Sequence, residues 1–413
     1  MRDLPGGWKS IRLRDAGTWL SGGTPSTDEP RFWGGTIPWI SAASMKDFYI
    51  RDSDRRLTKS GASAGTRLVD KGSVLFVVRG MSLKKEFRVG VTERQVAFGQ
   101  DCKAIVPRQD IDGTFLALAL KVHSSKILGM VDEAGHGTGR LPTDMISGEE
   151  IWIPRLCEQR RIVDILDALD AQISTNSQLV NKLRLIHRGL THDIMMRAMS
   201  SATAMANAWT WVRITEAGSV KLGRQRSPQH ETGRHMVPYL RVANVFDGYI
   251  DYSDVLSMNF TPAEQAEYGL RAGDILLNEG QSLELVGRSA VFDGPGGYCF
   301  QNTLVRFRPL RVSPEYAQAV FSYWLSIGEF ARIAKQTTSI AHLGADRFAR
   351  MNFPVAPVEE EGKIVASLSS ATKALNAEQE RFGKLNILKK GLMEDLLNRR
   401  ISVDAAEAIV GNL

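Results

Sequence analysis

Two groups of basic residues have the types and spacing for recognition chemistry. Arg79, Lys84, Lys85, Arg88 and Arg94 crowd into one short stretch of the first half of the chain. In the second half Arg224, Arg226, Arg241, Arg288 and Arg306 are spread more widely, with Asn244, Asn278 and Gln281 beside the expected strands. Lysine and arginine neutralise phosphates and supply affinity for a nucleic acid. Arginine, asparagine and glutamine form the paired hydrogen bonds that read base edges. The formal net charge of +6 fits a polyanionic partner.

Bond-making chemistry has no comparable signature, and neither a catalytic nor a metal-binding residue is assigned. The seven histidines lack metal-ligand spacing, and Cys102, Cys157 and Cys299 are far apart with no CxxC pair. There is no P-loop lysine and no Asn/Asp-Pro-Pro-aromatic sequence for adenine methylation. Gly135-His136-Gly137-Thr138-Gly139 has the glycine content of a phosphate-cradling loop, but its counterpart at Lys335–Ser339 has no glycine. The scattered cysteines fit a reducing cytoplasm. The N-terminal residues lack the apolar run of a signal peptide, and apolar stretches such as Val74–Val78 are too short to span a bilayer, so no membrane partner is expected.

The elements that must position these residues come in two copies. Trp8-Lys-Ser-Ile-Arg-Leu13 returns as Trp209-Thr-Trp-Val-Arg-Ile214, and Ile37-Pro38-Trp39-Ile40 as Val237-Pro238-Tyr239-Leu240. Gly72-Ser-Val-Leu75 returns as Gly273-Asp-Ile-Leu276, and Gly189-Leu190 as Gly391-Leu392. The offset stays near 200 residues throughout, so the chain is two diverged copies of one unit. Each copy opens with short apolar runs punctuated by Gly and Pro, which read as strands and turns. One helix is expected within each, around Phe115–Leu128 and Tyr316–Ile333. The aromatics Trp8, Trp33, Trp39, Trp209 and Tyr239 are expected in the core.

Each copy closes on a long turn-free segment, near Glu158–Met199 and Glu359–Arg399. A 4-3 spacing runs through the first as Ile162, Leu166, Leu169, Ile173, Asn176, Val180, Leu183, His187, Leu190 and Ile194. In the second it runs as Ile364, Leu368, Ala371, Leu375, Glu378, Phe382, Leu385, Lys389, Leu392 and Leu396. The polar exceptions occupy the same two slots in both copies, as expected if the helices pair with each other and use polar residues to set register. The fold class is therefore α+β: two repeated mixed α/β domains separated by two long helices that form an antiparallel coiled coil. The boundaries are residues 1–155 for the first domain, 156–200 for the first helix, 201–357 for the second domain, and 358–413 for the second helix with a C-terminal tail.

Several of these segments resemble the specificity subunit of type I restriction-modification enzymes. Gly22-Gly23-Thr24-Pro25-Ser26 followed by Phe32-Trp33-Gly34-Gly35-Thr36-Ile37-Pro38-Trp39-Ile40 is similar to the family's opening pattern, and Val78-Arg79-Gly80 to its RG turn. Ile151-Trp152-Ile153-Pro154 leading into Glu158-Gln159-Arg160-Arg161-Ile162 resembles its strand and helix start, and Lys389-Lys390-Gly391-Leu392-Met393 its helix ending. The second copy departs from the pattern: Gly223-Arg224-Gln225-Arg226-Ser227-Pro228 lacks Thr-Pro-Ser, and Glu359-Glu360-Glu361-Gly362 replaces Glu-Gln. The resemblance implies two target-recognition domains that bind the two halves of an asymmetric site in double-stranded DNA. It also implies two methyltransferase subunits carrying S-adenosylmethionine, and restriction/translocase subunits that use ATP and Mg, with no cofactor in this chain. Two other readings stay open from the residues: a non-DNA adaptor with two protein-binding domains, and the specificity subunit of a related system that cuts on both sides of its site.

Overall fold

The computed structural model describes residues 7–134, 137–204, 209–336 and 340–412. Gly135 and His136 of the glycine-rich stretch, and part of its counterpart, lie outside the described residues. The chain divides into two compact units, one of Met1–Ser177 with Arg381–Leu413 and the other of Gln178–Glu380. No described helix is long and apolar enough to cross a membrane.

The first unit is built around strand Val74–Val77, whose four apolar residues are all fully buried. It sits inside a five-stranded sheet ordered Gly17–Ser21, Cys102–Pro107, Val74–Val77, Val89–Thr92, Tyr49–Ile50. All neighbours are antiparallel except the last, which is parallel. Helix Gly113–Val122 packs on this sheet with Phe115, Leu116 and Leu120 buried. Its start is set by Asp112, whose carboxylate accepts the backbone N–H groups of Thr114 and Phe115 and so satisfies donors that the helix cannot pair. A second sheet is ordered Arg56–Leu57, Trp33–Ile40, Val96–Phe98, Arg67–Val69.

The second unit repeats this plan. Its four-stranded sheet is ordered Gly218–Leu222, Leu304–Pro309, Ile275–Asn278, Ser289–Val291, and helix Pro314–Ser326 packs against it. The core is more aromatic, with Phe307 and Phe321 edge to face at 5.3 Å and Phe330, Phe348 and Phe353 fully buried around them. Each helix expected inside a copy is in fact two. The first is Gly113–Val122 and Ser124–Leu128, and the second is Pro314–Ser326 and Glu329–Ile333. In the second unit the break falls at Gly328, whose φ of 77° lies in the left-handed region that ends helices. Trp8, Trp39 and Tyr239 are buried as expected, whereas Trp33 and Trp209 are only partly buried.

The long segments are the helices Leu156–Ala204 and Val358–Leu397, and they pack together in antiparallel sense. Within the first unit Lys389 donates to Asp170 at 2.6 Å, and Arg161 pairs with Glu407 at 2.7 Å. Within the second, His187 meets Thr372 at 2.9 Å. The 4-3 stripe is the packed face: Ile162, Leu166, Leu169, Val180, Ile364, Leu368, Leu385, Leu392 and Leu396 are buried, and Ile173, Leu183, Leu190, Leu375 and Phe382 are partly buried. Asn176 is buried in the same stripe. Burial holds the His187 imidazole below its usual value of 6.5, so it stays neutral against Thr372. A separate helix, Val403–Gly411, was not foreseen in the tail. Ser402 caps it, and Val403 and Ala406 enter the core of the first unit.

One polar latch explains the Glu-Gln at the helix start. Gln159 is fully buried. Its Oε1 accepts the Asp112 N–H at 2.8 Å, and its Nε2 donates to Asp110 O at 3.0 Å and Pro154 O at 2.9 Å. Glu361 takes over in the second unit, accepting the N–H of Ser313, the cap of the equivalent helix, at 2.8 Å. Tyr316 Oη reaches Pro354 O at 3.0 Å. The departure from Glu-Gln in the second copy therefore keeps the bond to the helix cap and changes the side chain that makes it. Gln159→Ala is expected to destabilise the first unit by about 1–3 kcal/mol for each buried group left without a partner, read as a lower urea midpoint. A midpoint equal to wild type would show that water replaces the amide without cost.

Candidate nucleic-acid interface

In the first unit the chain leaves the buried strand at Val78, makes the short strand Arg79–Gly80, then turns through Met81–Lys84. Arg79, Lys84 and Lys85 are exposed along this segment. Lys84 pairs with Glu133 at 2.7 Å. Arg88 is half-buried, donating to Glu86 at 3.0 Å and Ala42 O at 3.1 Å. Arg88 precedes strand Val89–Thr92 and Arg94 follows it, so the fold gathers Arg79, Lys84, Lys85 and Arg88 at one end of the sheet and leaves Arg94, which is exposed, at the other.

The second unit treats its candidates differently. Arg224 is 8% exposed, donates to Glu264 at 2.7 Å and Asn259 O at 2.9 Å, and lies over the Phe260 ring. Asn244 is buried in a turn, donating to Asp251 O and Asp254 O, both at 3.0 Å, and accepting the Arg241 N–H at 3.1 Å. Asn278 is wholly buried, with its amide toward Val245 O at 3.4 Å. Arg306 is 6% exposed and donates to Gly269 O at 3.1 Å. These four side chains bind the fold's own carbonyls and carboxylates, which corrects the expectation that they face a ligand. Their positions beside strands are legible in the sequence, whereas which face of each strand or turn points inward is not.

The rest of the second set keeps some access to solvent. Arg226 is exposed and pairs with Glu231 at 3.0 Å. Arg241 is partly buried and pairs with Asp254. Arg288 is half-buried over Phe246, and desolvation lowers its guanidinium below the usual arginine range. Gln281 is partly exposed, and its own Oε1 accepts the Ser282 N–H at 3.1 Å. A basic residue outside the sequence-derived set, Arg140, is exposed directly across the strand ladder from Arg79. Only the strand register could reveal it, because the two lie far apart in sequence. Among the described residues no group of His, Cys, Asp or Glu side chains is placed to hold a metal ion.

Residues 5–185 match the family model described as the type I restriction modification DNA specificity domain. Over 192 residues the chain is 30% identical to the specificity subunit of the Escherichia coli type I restriction enzymes EcoR124I/EcoR124II, covering 46% of this chain and 45% of that protein. It is 24% identical over 189 residues to the specificity subunit of the type I restriction enzyme MjaIX of Methanocaldococcus jannaschii, covering 44% and 43%. The crystal structure of a type I restriction-modification S subunit from M. genitalium aligns at 13% identity over 95% of this chain and 96% of that one, with a TM-score of 0.48. In its matches to the curated relatives the chain spans less than half of their length. Residues 5–185 are thus similar to the type I restriction modification DNA specificity domain, a match that covers less than half of the chain.

The burial pattern separates scaffold from surface in the second unit. Asn244→Ala is expected to lower stability by about 1–3 kcal/mol, because two carbonyls and one N–H lose a buried partner. Arg226→Ala, at an exposed ion pair, is expected to change it by less than about 1 kcal/mol. Chemical denaturation of both variants checks this, and equal effects would mean that the Asn244 turn is hydrated in solution.

Proposed function

We propose that this chain is the DNA-reading specificity subunit of a type I restriction-modification enzyme, with no catalytic centre of its own. The observation that carries the reading is the DNA specificity domain over residues 5–185, on a plan that the second half of the chain repeats. Each recognition domain, residues 1–155 and 201–357, takes one half of a bipartite site in double-stranded DNA. The segments 156–200 and 358–413 carry the partners: two methyltransferase subunits with S-adenosylmethionine, and restriction subunits with ATP and Mg. All of these act in the cytoplasm. Arg79, Lys84, Lys85, Arg88 and Arg94 in the first domain, and Arg226, Arg241, Arg288 and Gln281 in the second, are the groups proposed to face DNA. Exposed lysine and arginine side chains supply affinity through phosphate contacts, and few are needed at base edges.

The two readers are separable. Replacing residues 1–150 with those of a related subunit is expected to change one half of the methylated site and leave the other half unchanged. Sequencing of methylated DNA from cells carrying the whole system reads this directly, and a simultaneous change in both halves overturns the two-reader assignment.

The long helices also present apolar side chains that the packed stripe does not cover. Leu179, Leu185 and Ile186 are 40%, 67% and 51% exposed. Apolar residues on such a face gain by being covered in an assembly. Replacing Leu179 and Ile186 with Asp is expected to abolish co-purification with the methyltransferase subunits while leaving the circular dichroism of the chain unchanged. Retained co-purification would place the docking surface elsewhere.

A further inference from the structure

We propose that Arg79 and Arg140 form a clasp for one phosphate diester of the DNA backbone, and that only the first of the two recognition domains carries it. The inference rests on the DNA-reading assignment above and goes beyond it in naming the ligand group and the domain. It adds Arg140, which the sequence did not single out.

The geometry comes from a small sheet of Asp132–Ala134, Thr138–Arg140 and Arg79–Gly80. Its register pairs Arg79 with Arg140 and Gly80 with Gly139. Side chains alternate faces along a strand, so the two arginines share one face and the two glycines the other. The glycine face is pressed inward. A Cβ on Gly139 would stand 3.0 Å from Leu83 Cβ and 3.1 Å from Val131 Cγ1. That contact is tight for any larger residue, and the opposite face, with both arginines, is exposed.

Like charges directly opposite each other across a ladder destabilise a sheet. Among the described residues neither arginine has an ion pair: Glu133 is taken by Lys84 at 2.7 Å, and Asp132, next in the row beyond Arg140, forms no ion pair with it. Two planar guanidinium forks side by side present converging donors to one tetrahedral anion, and the Arg–phosphate pair is the strong form of that interaction. A base edge would satisfy one fork and leave the second charge repelled, so a phosphate is the better fit.

The second unit shows what the same place looks like without the clasp. Its equivalent sheet pairs Gly280 with His342. Glycine stands where the first unit has Arg79, and a histidine where it has Arg140. Glu279 holds that histidine at 3.0 Å. The cation left in this row is Lys335, across the ladder from His342 on the side away from Gly280, so the place has no pair of adjacent guanidinium forks.

Binding of the full chain to duplexes with and without its recognition site, measured between about 50 and 200 mM salt, tests the clasp. The double variant R79A/R140A is expected to weaken binding by the same factor on both duplexes and to make the slope of log K against log salt shallower by about 1. R79K/R140K is expected to keep the wild-type slope, and H342A at pH 8 likewise. An unchanged slope and affinity for R79A/R140A overturns the clasp while wild-type binding keeps the DNA-reading assignment. A loss confined to the recognised sequence makes these arginines base readers and also overturns it. A shallower slope for H342A overturns the asymmetry. If the wild-type chain shows no salt-sensitive DNA binding, the broader assignment falls, and the clasp with it.

Discussion

The structure depends on one constraint: neither long helix can bury its apolar stripe alone. A helix with one apolar face gains most of its stability from packing, and a second helix with the same stripe provides it. The partner segment comes from far along the chain. The first unit is completed by Arg381–Leu413, so residues near both ends of the sequence share one core, with Ile162, Leu166 and Leu169 beside Leu392, Leu396, Val403 and Ala406. Such long-range closure is slow to form, because the loop entropy is lost before the contacts compensate. Two polar residues of this seam are paired across it: Lys389 reaches Asp170, and His187, whose imidazole burial holds below its usual value, reaches Thr372.

The helix starts tie the seam to the domains. Gln159 and Glu361 each accept the backbone N–H of the residue that caps the short helix of their own unit. The chemistry is the same, but one copy uses an amide and the other a carboxylate. The second copy has no amide here to donate to carbonyls as Gln159 does, and a separate bond from the Tyr316 hydroxyl to Pro354 O ties its short helix to the neighbouring strand. Divergence between the copies has changed the side chain and kept the hydrogen bond to the cap residue's N–H.

The faces proposed to meet DNA have diverged further. In the first unit Arg79 and Arg140 stand together and, among the described residues, neither forms an ion pair, whereas in the second Arg224, Arg241 and Arg308 are engaged by Glu264, Asp254 and Asp274. Arginine inside a fold is held by carboxylates and carbonyls, and its charge is then unavailable to a ligand. Counting basic residues in each half therefore overstates the positive surface of the second unit relative to the first.

Sequence alone determined the repeat, the class of the fold and the faces of the long helices. Those features are written in periods and offsets, and a 4-3 stripe shows on any helix that carries it. Every stripe residue from Ile162 to Leu396 named above is buried or partly buried. Tertiary structure alone decided which polar residues near the strands point outward. Asn244 and Asn278 sit at sequence positions as favourable as Gln281, yet turn geometry and strand register send them into the core. The same register placed Arg140 opposite Arg79, a pairing between residues distant in sequence that no local pattern encodes. The C-terminal helix was likewise invisible, because its two core contacts, Val403 and Ala406, make too short an apolar pattern to read without the surface they pack on.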